Sequence, residues 1–115
     1  GGHVVRGRRD ENERMIIEAL VDAGCSVLQL EADVKEGTPD LLVGVSPPQR
    51  WPVNYLLEVK GEGKRLRPGQ ARFNEAWQGL KPIMVRTPEE ALAAIGRKVE
   101  RIDRLARNVA QAGAK

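Results

Sequence analysis

The stretch LLEVKGEGKRLRPGQ, residues 56–70, begins as an apolar strand and then places Glu58 and Lys60 two positions apart. Side chains alternate along a strand, so Leu56, Glu58 and Lys60 share one face while Tyr55, Leu57 and Val59 share the other. The second face reads as core. The first carries an acid and a base at the end of a strand, directly before a flexible, basic loop, and that arrangement needs an explanation.

Outward from this stretch the chain divides into short elements. Residues 11–23, ENERMIIEALVDA, set Met15, Ile16, Ala19, Leu20 and Ala23 at helical spacing, and Gly24 follows where helices commonly stop. Residues 26–32 alternate as a strand, 40–45 form a second, and the prolines of SPPQRWP make the connection to a third strand over 54–60 a loop. A helix over 69–80 is expected to lay Phe73, Ala76, Trp77 and Leu80 along one packing stripe, and 82–87 makes a fourth strand. Thr87, Pro88 and Glu90 fit an N-cap, a first-turn proline and a capping-box acid, which starts a helix running to about residue 110 with a weak point at Gly96. Three strands in succession favour hairpins, so the order α-β-β-β-α-β-α predicts an α/β domain with a central mixed four-stranded sheet flanked by helices.

The 115 residues suit one domain around a single core. The net charge of +3 permits a polyanionic partner without requiring one. Its distribution says more: residues 31–40 hold four acids and one base, whereas 60–72 hold five bases and one acid. The lone Cys25 cannot form an internal disulfide, and no apolar run approaches membrane-spanning length. A cytoplasmic, intracellular setting is therefore the expectation. The opening residues carry no signal-peptide pattern, and residues 1–10 are expected to be flexible.

A hairpin between the second and third strands brings Asp40, at the end of GTPD, beside Glu58. Two carboxylates on adjacent strands repel unless a cation lies between them. With one His and one Cys the chain cannot build a usual zinc cage, so hard oxygen ligands point to Mg²⁺ or Mn²⁺. Lys60 adds a point charge able to position water or stabilise a crowded phosphorus centre.

GTPD at 37–40, EVK at 58–60 and Gln70 opening the next helix together resemble the PD-(D/E)XK nuclease superfamily. The pattern looks most like its virus-type replication-repair nuclease (VRR-NUC) branch, related to archaeal Holliday junction resolvases, over residues 11–95. The resemblance implies a restriction-endonuclease-like core and a Mg²⁺- or Mn²⁺-dependent endonuclease acting on branched DNA such as Holliday junctions or flaps, alongside host or phage DNA. It implies Asp40, Glu58 and the Val59 carbonyl as metal ligands, Lys60 as catalytic lysine and Gln70 as an orienting group. It also implies a first-helix acid, best fitted by Glu13 acting directly or through water, with Glu11 and Glu18 as competing choices. Residues 11–96 would then be the nuclease domain.

Lys64, Arg65, Arg67 and Arg72 are candidate DNA contacts, and a solvated loop accounts equally well for the first three. Trp51 reads as a cover over the hairpin or a wedge in a junction, and Arg86 as a site-facing or a surface residue. Residues 97–115 continue the last helix, whose Ile95, Val99, Ile102, Ala106 and Val109 form a seam suited to a homodimer. A noncatalytic DNA-binding or assembly module on the same fold is the alternative. A sequence-specific restriction enzyme would need major-groove elements for which so short a chain leaves little room.

Overall fold

In the computed structural model, which describes residues 8–96, the first helix α1 runs Arg8–Asp22. It therefore starts inside the segment expected to be flexible. Ile16 and Leu20, one helical turn apart, are fully buried, and Asn12 and Ala23 extend the same stripe half-buried. Met15 points off that stripe and is 46% exposed, contrary to the core role expected for it. The helix ends in a Schellman motif: Gly24 adopts φ +92°, its N–H donates to Val21 O, and the Cys25 N–H donates to Leu20 O.

The sheet follows as β1 (Ser26–Gln29), β2 (Leu41–Val45), β3 (Val53–Val59) and β4 (Ile83–Val85), in spatial order β1-β2-β3-β4. β1–β2 and β2–β3 are antiparallel and β3–β4 is parallel, which makes the sheet mixed as expected. β1 stops at Gln29 rather than at residue 32, although the Leu30 N–H still donates to Asp40 O at 2.8 Å, one step beyond the last ladder pair. β4 is also shorter than 82–87, since the Thr87 hydroxyl accepts from the Glu90 N–H and Pro88 opens α3 (Pro88–Ala94) at once.

One sheet face holds Leu41, Val43, Val45, Leu57, Val59 and Val85, packed beneath Ile16 and Leu20 of α1 and Ala91 and Ile95 at α3. Fully burying each of the larger aliphatic side chains contributes about 1.5–3 kcal/mol, so this layer is the main source of stability. Because side chains alternate, Asp40 and Glu58 face the other way, out of that core.

The remaining helix, α2 (Pro68–Ala76), ends four residues before its expected limit. Phe73 is buried but lies outside the main apolar cluster, while Ala76, Trp77 and Leu80 are exposed. Trp77 stacks on Phe73 with ring centroids 5.3 Å apart instead of sealing the helix to the sheet. The expected four-residue stripe reduces to Phe73: Ala76 is exposed at the helix end, and Trp77 and Leu80 lie beyond it. Trp51 is 90% exposed at the hairpin tip and covers nothing among the described residues. Gly96 takes φ +80°, consistent with a break there, and Ile95 is buried in the chain's own core. The rest of the expected seam, from Val99 to Val109, and the whole segment 97–115 lie outside the described residues. No described helix is long and apolar enough to cross a membrane.

Candidate active site

The β2–β3 register decides where the acids stand. Leu41 pairs with Leu57, so one step further Asp40 lies across from Glu58, on the same face. One step further again, Pro39 lies across from Val59. The Val59 N–H donates to Asp40 Oδ2 at 2.7 Å instead of to a ladder carbonyl. Proline has no N–H, so residue 39 cannot donate to the Val59 carbonyl.

Glu58 is 1% exposed and Lys60 5%, which is rare for charged side chains. Burial at this depth is tolerable only with partners. Glu58 Oε1 accepts from Gln70 Nε2 at 2.9 Å and lies 4.0 Å from Lys60 Nζ. Gln70 has a double role, because its Oε1 accepts from the Arg67 N–H at 2.8 Å at the start of α2. The same amide thus caps the helix and spans to the strand acid.

What brings α2 close enough is a contact between glycines. Gly37, at φ +83°, lies so near Gly69 that a Cβ on it would stand 2.2 Å from Gly69 O. The loop carrying it is anchored by fully buried Pro39 and by the Thr38 N–H and hydroxyl, both donating to Lys35 O. An ion pair between Arg72 and Glu36 closes the same seam from outside. Arg72, a candidate DNA contact, is therefore already paired.

Two clefts flank this arrangement. One, of about 490 Å³, is lined by Thr38, Asp40, Arg67, Gln70 and Arg72. The other, of about 980 Å³, is lined by Lys60, Lys64, Arg65, Arg67 and Arg86, with Asn12 at its wall. Arg67 borders both, so the candidate cations Lys64, Arg65 and Arg67 do surround the strand end that carries Glu58 and Lys60.

The first-helix acids separate clearly. Glu13 is half-buried and accepts from Gln29 Nε2 of β1 at 3.0 Å. Glu11 and Glu18 both pair with Arg14 on the exposed side of α1. The Arg14 hydrogen bond, reinforced by its charge, holds the Glu11 carboxyl below the ordinary value. Glu13 is thus the acid of the three that faces the sheet.

No protein-family model matches the sequence. No curated protein matches it either. Among solved structures, a chain described as "VRR_NUC domain" superposes with a TM-score of 0.64 at 24% identity, covering 79% of this chain and 97% of that one. The chain has the VRR-NUC fold. This agrees with the mixed sheet and its flanking helices.

Within this VRR-NUC fold the donor set can be tested against a metal ion. Among the described residues no three His, Cys, Asp or Glu side chains form a ready-made cage. Two facing carboxylates, a main-chain carbonyl opposite a proline and an adjoining cleft do fit Mg²⁺ or Mn²⁺, which keep waters and take only one or two carboxylates. Arg86 and Asn12 belong to the site's surroundings in a way the sequence left open. Asn12 Nδ2 donates to Arg86 O at 2.8 Å across 74 positions of chain, a contact without any local signal.

Proposed function

We propose that this protein is a metal-dependent endonuclease that hydrolyses phosphodiester bonds in branched or structured DNA. The observation that carries the reading is the buried Glu58–Lys60 pair, with Asp40 across the strand and Gln70 bonded to Glu58. The VRR-NUC fold supports the same chemistry. Asp40, Glu58 and the Val59 carbonyl would hold Mg²⁺ or Mn²⁺, with Glu13 acting through water. A bound divalent ion would supply Lewis-acid charge neutralisation and a more acidic water.

The chain's own groups do the remaining work. Lys60, 5% exposed at the wall of the larger cleft, offers a fixed positive charge where negative charge grows on the phosphoryl oxygens. Gln70 fixes the Glu58 carboxylate so that its second oxygen keeps one orientation. The Val59 N–H does the same for Asp40. Lys64, Arg65 and Arg67 give phosphate contacts along the two clefts, a salt-dependent attraction without base reading.

The test is cleavage of a labelled four-way junction, a flap and a plain duplex with Mg²⁺, Mn²⁺ or EDTA. Cleavage of branched substrates that requires metal and disappears in Asp40→Asn and Lys60→Ala supports the reading. Binding without cleavage under every metal condition would favour the noncatalytic module. The proposed homodimer rests on the sequence seam beyond Ile95, and a monomer mass by light scattering at all concentrations would remove it.

A further inference from the structure

Immediately after Lys60 the chain makes a turn with little of its own to hold it. Gly61, Glu62, Gly63 and Lys64 close through the Lys64 N–H donating to Gly61 O at 3.1 Å, with Gly63 at φ +77°. Glu62, Gly63, Lys64 and Arg65 are all exposed, so no buried side chain pins this segment. Two glycines in four residues make such a turn conformationally loose.

Arg86, the residue after β4, supplies the missing anchor. Its Nη1 donates to Gly61 O and its Nη2 to Lys64 O at 2.6 Å, so one guanidinium spans both ends of the turn. Arg86 is itself held from two sides. Its N–H donates to Glu90 Oε1 at 2.8 Å from α3, and its carbonyl accepts from Asn12 of α1. The Lys60 N–H donates to Val85 O at 3.0 Å, so the clamp acts one residue from the buried ammonium-bearing side chain.

We propose that Arg86 is a positioning residue: it holds the Gly61–Lys64 turn and thereby sets the placement of Lys60 at the wall of the larger cleft. Arg86 lines that cleft, and a cation there invites assignment as a phosphate contact. Both of its terminal nitrogens, however, donate to backbone carbonyls. A planar fork reaches two acceptors at once, which a lysine ammonium does not reproduce. This inference rests on the nuclease reading only for its kinetic consequence.

The experiment uses the full chain with Arg86→Lys, Arg86→Ala and Asn12→Ala. Amide exchange across residues 61–67 is expected to speed up at least about tenfold in both Arg86 variants and less in Asn12→Ala. On a DNA substrate that the wild type cleaves, kcat is expected to fall by about 10- to 100-fold with KM changed little, since small misplacements of catalytic groups are costly. Free guanidinium is expected to restore part of the kcat of Arg86→Ala. Metal-free DNA binding should keep its salt slope in Arg86→Ala, whereas Lys64→Ala should lose about one unit. Unchanged exchange over 61–67 would overturn the clamp. A lower salt slope with raised KM and intact kcat in Arg86→Ala would make Arg86 a phosphate contact instead. Should Arg86→Ala not fold, Arg86→Lys and Asn12→Ala decide between the same outcomes. Should the wild type cleave no DNA, the nuclease reading fails while the exchange measurement still tests the clamp.

Discussion

Replacing Gly37 by alanine tests how the acid-bearing loop and α2 are joined. At φ +83° an L-residue costs roughly 1–2 kcal/mol in backbone strain alone. The added methyl would also stand 2.2 Å from Gly69 O, 2.7 Å from Gly69 C and 3.0 Å from Phe73 Cβ. The first two are backbone atoms of a helix start, so relief requires the loop and α2 to separate, and forced separation of packed groups adds about 1–3 kcal/mol. A total loss of about 2–5 kcal/mol follows. Gly69→Ala is the control. The atoms nearest its methyl would be those of the Glu36 side chain, which is exposed and can swing aside at the expense of the Arg72 ion pair. Such a surface pair is worth about 0–1 kcal/mol, so this variant should stay within about 1 kcal/mol of wild type. Urea denaturation of both variants, read by tryptophan fluorescence and by circular dichroism, gives the comparison. If Gly37→Ala lost no more stability than Gly69→Ala, the close approach of loop and helix would be wrong. The placement of Gln70 argued from it would then fall as well.

Four further outcomes are expected. Mg²⁺ at about 100 times its dissociation constant should stabilise the wild type by about 2.7 kcal/mol, and Asp40→Asn should abolish that thermal shift; an equal shift in both proteins would place the ion elsewhere. Gln70→Ala should cost about 1–3 kcal/mol, because it removes a donor from buried Glu58 and the acceptor for the Arg67 N–H, and Gln70→Glu should be worse than Gln70→Ala. Leu20→Ala should cost about 2–5 kcal/mol as a core truncation, whereas Trp51→Ala, at a position 90% exposed, should stay within about 0.5 kcal/mol. The lowered Glu11 carboxyl contributes stability that is present above its unfolded value and lost as pH falls through its folded one. Glu11→Gln should therefore differ from wild type at neutral pH and converge with it in acid, and a difference that grew in acid would contradict this sign.

The candidate site was legible where its parts are short strings on regular elements. GTPD and EVK needed only a hairpin register to face each other, and alternation along β3 already put Glu58 and Lys60 on one side. Helical period likewise found Ile16 and Leu20. Period alone names a face and says nothing of what covers it. Met15, Trp51, Trp77 and Leu80 carry the residue types of a core and remain exposed, Trp77 even though it stacks on Phe73. The depth of Glu58 and Lys60 was equally invisible, since the Gln70 amide that partners Glu58 comes from another element, α2.

Chain order, strand alternation and the chemistry of a few acids and one lysine are properties of neighbouring residues, and the sequence by itself determined the α/β architecture and the candidate acids through them. Only the tertiary structure decided that Gly37 would meet Gly69, that Asn12 would hold Arg86, and that Arg86 would grip the turn after Lys60. Those contacts join residues far apart in the chain through backbone atoms that every residue shares, so no local pattern of side chains announces them.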